Sequence, residues 1–142
     1  MDFLTDLHFL EVVEVDLFKD QRGCLVVSES LNSAYFEVKR IYYISSTPTE
    51  ESRGFHAHKK LKQLFFAVSG SFDLKVSDGD VFETVKVNAE SNGYFLKNGF
   101  WRELSNFSSD AIVLVLASEN YDAQDYIKTF DEFKEWRKRG AY

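Results

Sequence analysis

Arg53-Gly54-Phe55-His56-Ala57-His58-Lys59-Lys60-Leu61-Lys62-Gln63-Leu64-Phe65-Phe66-Ala67-Val68-Ser69-Gly70 is the stretch from which the fold can be read. Two of the chain's three histidines lie in it, one residue apart. In a strand, residues i and i+2 face the same way, so His56 and His58 project together while Phe55 and Ala57 face oppositely. Arg53 and Lys60 flank the pair, and Gln63 follows. The apolar run Leu64 to Val68 reads as a second, buried strand, and Ser69-Gly70 has turn chemistry. One hairpin thus presents two imidazoles, several cations and an amide toward one place.

The pattern continues outward in both directions. Downstream, Ser71–Ser77 and Val81–Val87 alternate around Asp78-Gly79-Asp80, a strong hairpin signal. Tyr94–Leu96, Phe100–Leu104 and the apolar run Ala111–Ser118 predict three more strands, separated by Asn- and Gly-containing turns. Upstream, Phe36–Ser45 is a strand with Arg40, Tyr42 and Ile44 on one face and Ile41 and Tyr43 on the other. Val12–Leu17 is a β-branched strand, Asp20-Gln21-Arg22-Gly23 a turn, Cys24–Ser28 a short strand and Leu31-Asn32-Ser33 a loop. From Asp122 the spacing becomes three and four: Tyr126, Ile127, Phe130, Phe133 and Trp136 predict a helix with Asp122 as N-cap and basic residues toward its end. About ten short strands followed by one helix predict an all-β antiparallel barrel or jelly roll with a C-terminal helix.

The composition agrees. The chain has 142 residues, 44% of them hydrophobic and 16% aromatic, which suits one β-rich domain spanning residues 1–142 and argues against disorder. A net charge of −6 disfavours nucleic acid, whose phosphates need a basic face. Cys24 is the single cysteine, so neither an intrachain disulfide nor a cysteine zinc site is expected. The N-terminus lacks the order of a signal peptide, and no apolar run approaches the roughly 18 residues of a membrane span. A cytoplasmic location is expected.

Two spacings in this chain match the two motifs of the cupin superfamily. His56-x-His58, four residues, Gln63, six residues, Gly70 resembles the first, with Gln in place of Glu; Gly99, two residues, Arg102, three residues, Asn106 resembles the second, with Arg in place of His. In a cupin metal centre those positions supply two His, a carboxylate and a third His. Here one is an amide and another a guanidinium, which stays protonated and does not ligate a divalent ion. Two neutral imidazoles alone make a poor metal site. No metal and no cofactor are therefore expected, and the imidazoles are free for acid–base work.

Nearly the whole chain resembles the nucleotide-sugar 3,4-ketoisomerases, cupin enzymes that act on thymidine-diphosphate-4-keto-6-deoxyglucose. The resembling segments are Asp20–Gly23, Lys39–Ile44, Arg53–Gln63, Ser69–Ser71, Trp101–Glu103, Leu114–Glu119, Tyr121-Asp122 and Asp125–Ile127. The resemblance implies a metal-free enzyme with a histidine base at His58, serving synthesis of 3-amino-3,6-dideoxy sugars for surface glycans. It also implies a homodimer in which N-terminal strands can be exchanged. In the substrate, the ketone at carbon 4 acidifies the proton on carbon 3. A base of near-neutral pKa removes that proton to give an enediol, and a proton delivered to carbon 4 completes the isomerisation. His58 is assigned this shuttle, His56 a supporting or relaying role, and Tyr42 a hydrogen bond to the sugar. Arg53, Arg22, Lys60 and Arg102 are candidates for the diphosphate, with Arg53 preferred. Gln63 faces the same place, and Trp101 is a candidate to stack on thymine or to sit in the core.

Three alternatives remain at this point. A nucleotide-sugar 3,5-epimerase would use similar chemistry, although no separate His–Asp dyad is visible in the sequence. A metal-dependent cupin oxygenase or isomerase is opposed by Gln63 and Arg102. A non-catalytic sugar-binding cupin would need neither histidine to titrate.

Overall fold

Along Ser71–Ser77, Phe72, Leu74 and Val76 are completely buried while Ser71, Asp73 and Lys75 are not. This period-two burial is the signature of a sheet with one face on a core. The computed structural model describes residues 7–29, 31–140 and 142. In chain order the elements are β1 (Leu10–Val13), β2 (Asp16–Asp20), β3 (Gly23–Val27), α1 (Leu31–Ala34), β4 (Arg40–Ser45), β5 (Arg53–His58), β6 (Gln63–Ser69), β7 (Ser71–Ser77), β8 (Phe82–Asn88), β9 (Gly93–Leu96), β10 (Trp101–Ser105) and β11 (Ile112–Ala117). A 3-10 turn (Ala123–Asp125), β12 (Tyr126–Ile127) and α2 (Phe130–Lys138) complete the described chain.

Two five-stranded sheets, ordered β1-β9-β6-β11-β4 and β12-β5-β10-β7-β8, face each other, and β2-β3 form a separate two-stranded ribbon. Every pairing among the described residues is antiparallel. The antiparallel β architecture with a C-terminal helix is the one expected. Phe65, Val113 and Val115 from the first sheet meet Phe72, Leu74, Val76 and Leu104 from the second, all buried. The Asp78 turn forms as its sequence suggests: its carboxylate accepts from the amides of Asp80 and Val81 at 2.9 and 3.0 Å.

Four boundaries differ from the sequence reading. The strand expected over Val12–Leu17 breaks after Val13, where the chain leaves the first sheet and Val15 donates to the Asn92 side chain at 3.2 Å. The Leu31–Ser33 loop is the start of α1, and the strand expected from Phe36 begins only at Arg40. The helix expected from Asp122 begins at Phe130, with Thr129 as its N-cap. Asp122 does cap a turn, its carboxylate accepting from Gln124 N at 3.0 Å, but only the 3-10 turn follows. Tyr126 and Ile127 then pair with His58 and Ala57 of β5, and that sheet pairing overrides the helical spacing. α2 lies against the outer face of the second sheet, burying Phe133 and Trp136 with Ala57, Trp101 and Ile127.

Candidate active site

β5 turns His56 and His58 to one face, as alternation requires, and two neighbouring strands complete their surroundings. Arg102 of β10 stands directly opposite His56, and Tyr126 of β12 directly opposite His58. β4, from the other sheet, contributes Arg40 and Tyr42. Together with Arg53, Gly54 and Leu104, these residues other than His58 line a cavity of about 280 Å³ between the sheets. Gly54 is at φ +75, and a β-carbon there would lie 2.3 Å from the Arg102 guanidinium, so only glycine leaves that cation its place.

Three hydrogen bonds organise the polar groups. The two histidine Nε2 atoms are 3.1 Å apart, their rings crossing edge to face. The Tyr42 hydroxyl oxygen accepts from Gln63 Nε2 at 2.8 Å and from Arg102 NH2 at 3.2 Å. With both lone pairs engaged, its own proton remains available to a guest. His58 Nδ1, Gln63 Oε1, Arg40 Nε and Arg102 Nε are buried without a hydrogen-bond partner among the described residues. Buried polar atoms without a protein partner are uncommon in folded chains, and these four belong to side chains grouped around Tyr42 and the histidines.

The electrostatics follow from burial. His56 and His58 are both pushed well below the ordinary imidazole value, chiefly by desolvation and further by the Arg102 charge. The expectation of a base titrating near neutrality is therefore corrected: both imidazoles rest neutral at pH 7. Burial also pulls Arg102 below its usual value, opposed by the Tyr42 and Tyr126 hydroxyls.

The remaining candidates are distributed unevenly. Arg53 lies on the cavity rim, and Gln63 is buried behind Tyr42. Lys60 lines an adjoining hollow of about 420 Å³, of which Tyr126 is also a wall. Trp101 does not face the cavity. It neighbours Arg102 in β10 and so points to the opposite side of the sheet, packing on Phe130 and Phe133 beneath α2. Of the two positions considered for it, stacking on thymine or the core, Trp101 takes the core, so its place among the substrate-binding candidates is corrected. Arg22 sits at the exposed tip of the β2–β3 ribbon, bonded to Asp20, and takes no part in this chain's cavity.

Three neighbours of the site escaped the sequence reading. Arg40 lies over the rings of Tyr42 and Tyr121 at 5.4 and 5.8 Å. Its signal was present, because alternation already set it on the Tyr42 face. Tyr126 contacts both histidine rings, at 4.8 and 4.5 Å, and Asp125 stands behind His58 with Oδ2 3.6 Å from Nδ1. The segment holding these last two looked helical, so nothing local announced their return to β5. The His–Asp approach that the sequence did not display is thus present in space.

A two-sheet antiparallel jelly roll carrying paired histidines on its hairpin strand defines a cupin-type protein, with Gln63 and Arg102 where metal ligands would stand. The chain belongs to the FdtA family: the family model FdtA, described as WxcM-like, C-terminal, matches residues 8–138. It is 39% identical over 126 residues to the TDP-4-oxo-6-deoxy-alpha-D-glucose-3,4-oxoisomerase of Aneurinibacillus thermoaerophilus, covering 89% of this chain and 91% of that one. The crystal structure of a 3,4-ketoisomerase from Helicobacter canadensis superposes with a TM-score of 0.84 at 38% identity, covering 91% of this chain and 98% of that one. A third relative is the 3,4-ketoisomerase QdtA of Thermoanaerobacterium thermosaccharolyticum, solved as a histidine-to-asparagine mutant in complex with TDP-4-keto-6-deoxyglucose. It superposes with a TM-score of 0.86 at 31% identity, covering 94% of this chain and 96% of that one.

Proposed function

We propose that this protein, a single cupin domain across residues 1–142, is a cytoplasmic sugar-nucleotide isomerase. It moves the keto group of dTDP-4-keto-6-deoxyglucose from carbon 4 to carbon 3. The observation that carries the reading is the histidine pair, in Nε2-to-Nε2 contact at 3.1 Å, with His56 and the Arg102 cation lining a cavity of about 280 Å³. His58 takes the carbon-3 proton on Nε2, and the electron pair of that C–H bond passes into an enediolate. The hydroxyl proton on the carbon-3 oxygen passes to the carbon-4 oxygen with His56 as relay, and His58 delivers a proton to carbon 4, so the sugar is oxidised at one carbon and reduced at its neighbour without an outside electron acceptor. Arg102 and the Tyr42 hydroxyl balance the charge on the enediolate oxygen. Arg53 at the rim and Lys60 in the adjoining hollow take the diphosphate.

One observation favours a second assignment within the same reaction. His56 lines the cavity, whereas His58 lies behind it at 4% exposure. In that version His56 meets the sugar and His58 receives the proton from it. Solvent-deuterium exchange at carbon 3, followed by NMR with the thymidine-linked 4-keto sugar, separates the two. His58→Asn should abolish exchange and lower turnover by about 10²–10⁴-fold, while His56→Asn should leave exchange and slow product formation. Exchange surviving in His58→Asn and vanishing in His56→Asn establishes the second version. Full turnover in both variants overturns the enzymatic reading in favour of a sugar-binding cupin.

The active unit in this proposal is a homodimer with exchanged N-terminal strands. Its support is the outer face of the first sheet, where Ile41, Tyr43 and Val68 are exposed, and the ribbon, which exposes Phe18 and Leu25. Exchange would carry Arg22, remote from its own cavity, onto the partner.

A further inference from the structure

His58 Nδ1 is buried and has no hydrogen-bond partner among the described residues, yet a carboxylate faces it. Asp125 Oδ2 stands 3.6 Å away, just beyond a formed hydrogen bond. Asp125 is itself buried and tightly held. Its backbone oxygen accepts from Lys59 N at 3.0 Å, its Oδ1 from Lys60 N at 2.8 Å and its Oδ2 from Leu61 N at 3.2 Å. These are the three residues that follow His58, so Asp125 also fixes the end of the strand that carries the imidazole. A carboxylate offers about four lone-pair sites, and two amides leave capacity for an N–H from the ring.

From this geometry we propose that Asp125 is the positioning residue of His58: it fixes the Nδ1–H tautomer and stabilises the imidazolium formed during turnover. The inference rests on the ketoisomerase reading for its consequence but not for its first step. A lone pair on Nδ1 would oppose the carboxylate in a buried place, so the hydrogen sits on Nδ1 and the lone pair on Nε2. His56 Nε2, 3.1 Å from that lone pair, must then carry the hydrogen between the rings. Asp125 thereby sets the protonation pattern of both histidines: His58 Nε2 keeps the one lone pair between the rings, held at rest by the His56 N–H and freed for the carbon-3 proton when His56 turns to the substrate. When that atom takes the carbon-3 proton, the ring becomes a cation with its second N–H directed at Asp125. When the proton moves to carbon 4, the ring returns to the starting tautomer. Desolvation opposes a charged imidazole here, and a fixed counter-charge behind the ring offsets that cost.

The test combines 15N NMR of the histidine rings with kinetics. In the unmutated protein without substrate, His58 should show the Nδ1–H tautomer, its signals assigned by their loss in His58→Asn. In Asp125→Asn, the amide oxygen keeps the shorter of the two amide bonds, to Lys60 N rather than Leu61 N, which turns the NH2 group toward Nδ1 and drives the hydrogen to Nε2. Turnover should then fall by about 10²–10⁴-fold, with KM and thymidine-diphosphate affinity nearly kept, as expected for a wrong tautomer in a histidine–aspartate pair. An Nε2–H tautomer in the unmutated protein overturns the proposal whether or not the variant folds. So does an Asp125→Asn protein with unchanged tautomer and unchanged turnover. The NMR measurement needs no sugar, so it judges the pairing alone. Retained turnover in His58→Asn would instead count against His58 as the base while leaving the tautomer result intact.

Discussion

At the residue scale, the decisive feature is two imidazoles held neutral by their surroundings. Burial and Arg102 lower both affinities for a proton, so the unfolded chain binds protons that the folded one refuses. The sign follows: with more protons bound in the unfolded state, stability rises with pH. The contribution is complete above the ordinary imidazole value of about 6.5 and is lost progressively as pH falls below it. Thermal melts should therefore drop between pH 7.5 and 5, and His58→Asn should flatten part of that slope. Activity should behave consistently, with kcat/KM of the free enzyme showing no acid limb near 6.5, because the neutral base persists well below that pH. A limb centred near 6.5 that vanishes in a histidine variant would show that one imidazole is more solvated than its packing indicates.

At the scale of elements, Glu83 of β8 makes an unusual anchor. Its carboxylate accepts from three successive amides, His8 N at 2.6 Å, Phe9 N at 3.1 Å and Leu10 N at 2.8 Å, and so ties the start of β1 to the opposite sheet. Glu83→Ala should cost on the order of 1.5–3 kcal/mol, the range for hydrogen bonds to a charged group. Urea denaturation measures that loss, and amide exchange should quicken first at residues 8–10. Unchanged exchange there would mean that β1 is held by its pairing with β9 alone. This anchor was invisible in the sequence, because a lone Glu in an alternating strand reads as a solvated position. Where burial alternates strictly, as in Ser71–Val76 and in the Arg40–Ile44 face, the sequence was sufficient, since one face must meet the core. His56 and His58 were legible on the same ground. Asp125 and Tyr126 were not: their spacing suits a helix, and only the β12–β5 pairing brings them to the histidines. Arg22 was legible as a turn residue, yet its distance from the cavity depends on where a whole ribbon is laid.

At the scale of the molecule, the two sheets differ in what covers their outer faces. α2 covers the second sheet, whereas the first leaves Ile41, Tyr43 and Val68 at 63%, 71% and 59% exposure. A groove of about 480 Å³, walled by Val26 and Cys24 of the ribbon and by Phe66, Val68, Leu114 and Leu116, continues this apolar surface. Contiguous apolar area of this kind is what the proposed dimer would cover. Tyr43 belongs both to that face and to the mouth of the histidine cavity, so a second copy seated there would border the site. Val68 is the position to test, because its side chain faces outward and touches neither the core nor the cavity. Val68→Glu would set a charge against an apolar surface if a second copy covers it. Analytical ultracentrifugation at micromolar concentration should find a dimer for the unmutated protein and a folded monomer for Val68→Glu. If the exchanged ribbon brings Arg22 to the partner's cavity, the monomer should also lose turnover. Arg22→Ala should then stay dimeric while binding thymidine diphosphate more weakly. An unmutated protein that sediments as a monomer would overturn the dimer. A Val68→Glu protein that remains a dimer would move the interface off this face, and an Arg22→Ala dimer with full nucleotide affinity would remove the ribbon from the site.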